Sequence, residues 1–455
     1  MADENENDPR PHVVIVGGGF GGLTAAKSLK SAPVRITLID RTNHHLFQPL
    51  LYQVATAGLS PADIAAPIRS VLRRQKNVSV LLDEVLDVDV AQKKLSMRGG
   101  ALSFDKLICA TGMTSNYFGH EAWEPSATGL KSLHEAVQIR NRALVAYEEA
   151  ERETDPERRR ALLTFVVIGG GATGVEVAGA FVELARFTLV KDFRRIHPDQ
   201  ARVILVEAGD RLLPAMPPEL SESAKKQLEE MGVEVRLSTR VTDISGNSLS
   251  LGDELIKACT IVWGAGVKAN PLAAKLGETD RLGRVKVEKD CSLPGHRDVF
   301  AIGDMMNLAG DDGNPLPGVA QVALQQAEHV ANCIKNDLKN KPREAFRYND
   351  LGSMATIGRS RAVAKIGKIE LSGFLAWCGW LFVHPISLIG FRNRLSVFSS
   401  TGRAGLRHLP TRGALDRRSR SVAAAGRCVA PSADFTLHRA RDADATACVM
   451  PDLIE

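Results

Sequence analysis

Two glycine turns, each answered by an acid further along, carry the plainest chemistry in this chain. In the first, Val13-Val14-Ile15-Val16 runs into Gly17, Gly19 and Gly22, spaced as G-x-G-x-x-G, and a helix-forming segment follows. A second apolar run then stops at Asp40. The first glycine permits a tight turn, the second lets backbone approach a pyrophosphate, and the third lets helix pack closely on strand. Phosphates would lie at the helix N-terminus, where unpaired N–H groups and the helix dipole favour negative charge. Asp40 stands where a carboxylate accepts hydrogen bonds from ribose hydroxyls. The unit returns about 150 residues later, with Phe165-Val166-Val167-Ile168 leading into Gly169, Gly171 and Gly174. Its second strand, Arg202 to Val206, ends at Glu207. The longer gap before Glu207 requires an insertion, RFTLVKDFRRIHPDQ, in the crossover. Two such units imply two dinucleotide sites.

Other residues group around these turns. Ala110-Thr111-Gly112 closes an apolar strand, and Ile261-Val262-Trp263-Gly264-Ala265-Gly266 repeats that pattern in the second half. Small residues at such strand ends let backbone approach a ligand. Val299 to Ile302 ends in Gly303-Asp304, which puts a carboxylate where a polyol chain could bond to it. Gln321 and Gln325, at i and i+4, share one face of a helix expected over 317–336. Glu176 lies in the first turn of the second glycine helix, a favourable place for an acid. Glu207 suits the free 2′-hydroxyl of a dinucleotide's ribose and repels a 2′-phosphate, although Arg211 nearby could soften this.

The elements that must position these groups follow an α/β pattern, two Rossmann-like halves of alternating strand and helix. A helix is expected over 221–231, a strand over 233–237 and short strands over 78–95. Residues 130–163 are charged and helix-prone and read as an exposed connecting pair. His44 and His45 are adjacent, so they share no face of a regular element and read as loop residues rather than metal ligands. The seven cysteines form no C-x-x-C or C-x-x-x-x-C pair, which argues against a disulfide framework, a zinc site and a redox dithiol. No metal is expected. The net charge of +5 and the lack of a basic stripe argue against a nucleic-acid partner.

Taken together, these motifs resemble the two-dinucleotide-domain flavoprotein reductases, over about residues 12–395. The resemblance implies non-covalent FAD on the first unit, with Asp40 at its adenosine ribose and Asp304 at its ribityl chain. NADH would bind the second unit, inserted in the FAD domain. Phe47-Gln48-Pro49-Leu50-Leu51-Tyr52-Gln53, the A-Q-x-A-x-Q run at 320–325 and the apolar C-terminal region are similar to type II NADH:quinone oxidoreductases. That likeness places Gln48 in the flavin site and Gln321 and Gln325 at a quinone, and gives Glu176 a role in proton or quinone handling. The expected reaction passes two electrons from NADH through FAD to ubiquinone or menaquinone, without proton pumping. A soluble NADH-dependent reductase of a small protein electron carrier is the alternative. The missing cysteine pair separates the chain from disulfide reductases and sulfide:quinone oxidoreductases.

Residues 371–390, LSGFLAWCGWLFVHPISLIG, hold no acid or lysine and could just span a bilayer. Gly373, Gly379, His384 and Pro385 weaken a span, Trp377 and Trp380 suit an interface, and Arg392 and Arg394 would face anionic head groups. One-sided docking on the cytoplasmic side of the inner membrane is therefore expected; homodimerisation is left open. A disordered lead-in is expected over 1–10, then the N-terminal stretch of the FAD domain (11–125), connecting helices (126–160) and the NADH domain (161–290). The FAD domain resumes over 291–350 with the quinone-site helix, followed by a membrane-docking region (351–398) and an atypical tail (399–455). That tail, rich in Arg, Ala, Ser and Thr with no lysine, reads as disordered or as the product of a frameshift.

Overall fold

The computed structural model describes residues 8–387, with no side-chain environment for 382–387. Arg392, Arg394, the tail at 399–455 and most of the lead-in lie outside the described residues.

Continuous apolar runs become parallel strands buried on both faces. In the first half His12–Val16 pairs in parallel with Arg35–Asp40 on one side and Lys106–Cys109 on the other. Val78–Leu82 extends the sheet beyond Arg35–Asp40, and His296–Ala301 extends it beyond Lys106–Cys109. A strand from near residue 300 thus completes the sheet that residue 12 begins, so the second half is inserted within the first. The inserted sheet has five parallel strands, in the order Ala127–Gly129, Thr260–Trp263, Thr164–Ile168, Arg202–Val206, Val233–Arg236. Its side chains alternate between two cores: Phe165 and Val167 face one, Val166 and Ile168 the other. Each half also carries a three-stranded antiparallel sheet, at 85–103 and at 243–257. The internal repeat therefore covers more than the glycine turns. Met113–Ser115 and Val267–Ala269 pair antiparallel where the chain crosses between halves.

Several expectations shift. Ala127–Gly129 is already a strand of the second sheet, so that sheet begins inside the expected connecting segment. The pair Leu133–Arg152 and Pro156–Leu162 is helical, but the first helix is not simply exposed. Its Ala136, Ile139, Ala143, Ala146, Tyr147 and Ala150 form a buried stripe at helical spacing. His44 and His45 lie in a short strand, His44–Leu46, paired with Ala65–Pro67, rather than in a loop. The helix expected from Pro317 begins at Ala320 and runs to Asp337.

The segment after 350 is not an appendage. Ser353–Gly358, Arg361–Ile366 and Ile369–Ser372 form an antiparallel sheet that packs on the helix Ala172–Glu183. A last helix, Phe374–Ser387, lies against that sheet. Trp377 and Trp380, expected at a membrane interface, are 4% and 1% exposed and belong to the core of the second half. Burying each ring contributes on the order of 2–3 kcal/mol, so the interior wins them. Phe374 and Leu375, at the start of the same helix, do face outward. Among the described residues no helix is long and apolar enough to cross a membrane.

Candidate functional site

The two glycine turns have matching geometry. Gly17 and Gly169 have φ of +105° and +109°, in the left-handed region that favours glycine. A Cβ on Gly22 would stand 1.8 Å from the Gly17 carbonyl oxygen, and one on Gly174 would stand 1.8 Å from that of Gly169. Helix and strand therefore touch only because both residues lack a side chain. Around Gly19 and Gly171, by contrast, a Cβ would meet nothing within 4 Å. Each of these glycines is the N-cap of its helix with no side chain bonded across the N-terminus. Open space, free N–H groups and a helix dipole together fit a pyrophosphate.

The two acids sit alike as well. Asp40 Oδ2 accepts from the Gly18 backbone N–H, while its Oδ1 accepts from Thr42 N at 2.6 Å and Thr42 Oγ1 at 2.7 Å. Glu207 Oε2 accepts from Gly170 N, and Oε1 from Gly209 N at 2.6 Å. Each carboxylate thus ties its strand end to its glycine turn. Arg211 turns away from this role and donates to the Pro214 carbonyl at 2.9 Å. His45 holds the first turn from the other side, its Nδ1 donating to Gly18 O at 3.0 Å and its ring edge-on to Phe20. Burial pushes the His45 pKa down, which keeps the ring neutral. Only the apolar neighbours of His45 hint at this role in the sequence.

The small-residue strand ends close on these turns. Ala110 O would meet a Gly17 Cβ at 2.4 Å, and Ala265 Cα would meet a Gly169 Cβ at 2.6 Å. Thr111 N–H and Oγ1–H both point at Met305 Sδ, at 3.3 and 3.2 Å. Gly112, with φ of +67°, leaves open space, while Gly266 lies under the Phe118 ring. Gly303 N–H donates at 2.8 Å to Oε1 of Gln326, a fully buried amide overlooked beside Gln325. Burial raises the pKa of Asp304, and Lys131 and Arg284 oppose that rise. Lys131, also missed from sequence, has its own pKa lowered by burial. Its carbonyl accepts from Gln48 Nε2 at 3.2 Å, so Gln48, Lys131 and Asp304 gather at one place.

Gln321 and Gln325 do share a helix face, but both amides are engaged. Gln321 Nε2 donates to Gly352 O at 2.7 Å and its Oε1 accepts from Leu351 N at 3.1 Å. Gln325 makes the same pair of bonds with Asn349, both at 2.9 Å. The two side chains continue a backbone ladder along 349–352, because an amide offers the same donor and acceptor as a peptide group. That use leaves one N–H on each.

Glu176 lines a cavity of about 120 Å³ with Tyr52, Gln53, Thr56, Glu183, Thr356, Arg359, Trp377 and Trp380. Four segments meet there: the helix Leu51–Ala55, the helix Ala172–Glu183, the strand Ser353–Gly358 with its following turn, and the Trp helix. Burial pushes the Glu176 pKa up to about 8, against the Thr356 backbone N–H, which favours the charged form. Beside the cavity, helix and strand almost touch: a Cβ on Gly179 would stand 1.7 Å from Ile357 O. Gly179→Ala gains roughly 1 kcal/mol of helix propensity and loses more to this clash. The expected net is a destabilisation of about 2 kcal/mol, read as a lower unfolding midpoint in urea. An unchanged midpoint would mean the contact is not structural.

The described cysteines Cys109, Cys259, Cys291, Cys333 and Cys378 are free, and no group of metal-binding side chains occurs among the described residues.

The comparisons with known proteins agree with this geometry. A family model, pyridine nucleotide-disulphide oxidoreductase, matches residues 11–327. Type II NADH:quinone oxidoreductase Ndh of Mycobacterium tuberculosis is 47% identical over 410 residues, covering 86% of this chain and 88% of that protein. A type II NADH:quinone oxidoreductase of Staphylococcus haemolyticus is 29% identical, covering 80% and 92%. In fold, the chain matches NDH2 of Plasmodium falciparum with a TM-score of 0.79 at 20% identity, covering 87% of this chain and 98% of that one. With that family match and that relative, the chain belongs to the pyridine nucleotide-disulphide oxidoreductase family and, within it, to the type II NADH:quinone oxidoreductases.

Proposed function

We propose that this chain oxidises NADH and passes two electrons through FAD to a membrane quinone, without pumping protons. The observation that carries this reading is the course of one helix. Ala172–Glu183 starts at the second glycine turn and, one turn on, delivers Glu176 to a cavity shared with Tyr52 of the first half. Nucleotide site and acidic cavity are thereby built on one rigid element. The relatives' names supply the substrate pair.

In this reading Gly17, Gly19, Gly22, Asp40, Gln48, Ala110, Thr111, Gly112, Gly303 and Asp304 hold FAD. Gly169, Gly171, Gly174, Glu207, Ala265 and Gly266 hold NADH. FAD, when bound, supplies hydride acceptance and electron release. Glu207 favours NADH, since its carboxylate repels a 2′-phosphate and Arg211 is spent on Pro214. The quinone head enters the cavity of Tyr52, Glu176, Trp377 and Trp380, and Glu176 supplies a proton there. Gln321 and Gln325 position the 349–352 backbone that leads into the cavity wall, and each keeps one N–H for a quinone oxygen. The outward Phe374 and Leu375 fit one-sided docking on the cytoplasmic face of the inner membrane.

NADH oxidation by the FAD-loaded protein with a short-chain soluble quinone tests the whole. Turnover is expected both for the full chain and for a chain ending at residue 398, because the cavity lies within 52–380. A reductase of a small protein carrier would show none with quinone in either form, and that result would sink the reading.

A further inference from the structure

We infer that Glu183, paired with Arg359, is the proton entry of the quinone cavity and hands protons to Glu176 by way of the Tyr52 hydroxyl. This relay rests on the reading of that cavity as the quinone site. NADH gives up two electrons and one proton as hydride, whereas a quinone becomes a quinol by taking two electrons and two protons. The balanced change is NADH + H⁺ + quinone → NAD⁺ + quinol, so one proton per turnover comes from water. A quinone seated among Tyr52, Trp377 and Trp380 shuts off direct access, and the proton must pass through protein groups.

The geometry supplies a route. Glu176 and Glu183 are seven residues apart on one helix, which puts both on the same face and about 10 Å apart along the axis. That is too far for one hop between carboxylates, but both line the same cavity. The Tyr52 hydroxyl lies within the electrostatic reach of each. Burial first, and then the charge of either acid, holds that hydroxyl protonated. Gln53 Nε2 donates to the Tyr52 oxygen at 2.9 Å, and the Thr356 side chain also bonds that hydroxyl.

The two ends differ in the way a relay needs. At the outer end Glu183 accepts from the Arg359 backbone N–H, and its other oxygen lies 3.6 Å from Arg359 Nε. Burial raises the Glu183 pKa, while that N–H and the Arg359 charge pull it back toward the ionised form. The Glu183 and Arg359 side chains keep 19% and 29% exposure, so this opposed pair sits at the water boundary. Arg359 is also stacked over the Phe187 ring, in the π-helical turn Leu184–Thr188 that follows Glu183. At the inner end Glu176 has the Thr356 backbone N–H beside it, and burial holds it toward its neutral form. Gly358 makes room for the pair, since a Cβ there would stand 3.0 Å from Glu183 Oε1. A proton is therefore taken up beside a cation and passed to a group that prefers to keep it.

Glu183→Gln keeps the acceptor for the Arg359 N–H and removes the exchangeable proton. Its turnover is compared with soluble quinone and with ferricyanide, a one-electron acceptor that takes no proton. The expected result is a quinone kcat at least about tenfold lower with KM unchanged, a larger solvent deuterium effect, and a ferricyanide rate within about twofold of the parent. Glu183→Asp should recover some of the loss. A merely structural Glu183–Arg359 pair predicts that both acceptors suffer together, and that outcome overturns the relay, as does a quinone rate left untouched. If the unaltered protein fails with quinone but turns over ferricyanide, the quinone reading itself has failed instead.

Discussion

Gly19→Val yields a folded protein that purifies without flavin, and Gly171→Val yields one that keeps its flavin but no longer binds NADH. Both positions are extended backbone with φ near −70°, which any residue adopts, and a side chain there meets nothing in the protein within 4 Å. The apoprotein therefore tolerates valine. A nucleotide does not, because the isopropyl group occupies the space through which the pyrophosphate reaches the helix N-terminus. Losing that approach costs about 3 kcal/mol or more, on the order of a hundredfold in affinity. Flavin absorbance per chain and titration with NADH measure the two effects separately. Gly22→Ala makes a poorer probe. Its Cβ collides with the Gly17 carbonyl and would damage the fold along with the site. If Gly19→Val kept flavin and Gly171→Val lost it, the two sites would be assigned the wrong way round.

That pair of variants could be designed from sequence, and the reason is physical. A phosphate-binding turn is local: glycines, flanking strand and closing acid fall within a few dozen residues, and each is constrained by its near neighbours. The insertion of one half in the other follows from the family resemblance instead, since no local pattern pairs the strand before Gly303-Asp304 with the first sheet. The cavity was not legible. Tyr52, Glu176, Thr356 and Trp380 meet only through tertiary packing, and no periodicity links segments about 300 residues apart. Gly179 was the available clue, a glycine inside an otherwise apolar helix, which commonly marks a close backbone approach. The same limit explains what the sequence did not show of the tryptophans and the amides. An apolar run with two tryptophans reads alike whether it meets lipid or a protein core. A pair of amides on one helix face gives no sign in the sequence that it also bonds the 349–352 backbone.

Glu176→Gln is expected to lower quinone-dependent turnover about a hundredfold while leaving the NADH half of the reaction at its parent rate. With its pKa pushed up to about 8, Glu176 is mainly protonated at neutral pH, although an ordinary glutamate would be ionised. It can therefore donate a proton to a reduced quinone oxygen, and general acid catalysis of this kind contributes about 10²–10⁴-fold. Glutamine preserves the size of the side chain and an acceptor for the Thr356 N–H, but has no acidic proton. The groups facing Glu176 across the cavity are Tyr52, held neutral, and Glu183, whose charge Arg359 balances. Burial is the main cause of the raised Glu176 pKa, and the Thr356 N–H opposes it. The sign of the pH dependence follows. The competent form is the protonated acid, present below about pH 8 and lost above it, so quinone turnover of the parent protein falls as pH rises through about 8. Reduction of the bound flavin by NADH, followed anaerobically by stopped flow, needs no such proton and stays level across that range. In Glu176→Gln the fall disappears because the titrating group is gone, and the rate is low at every pH. A variant that retained both the parent rate and the parent pH profile would remove Glu176 from the proton path, and Glu183 with it.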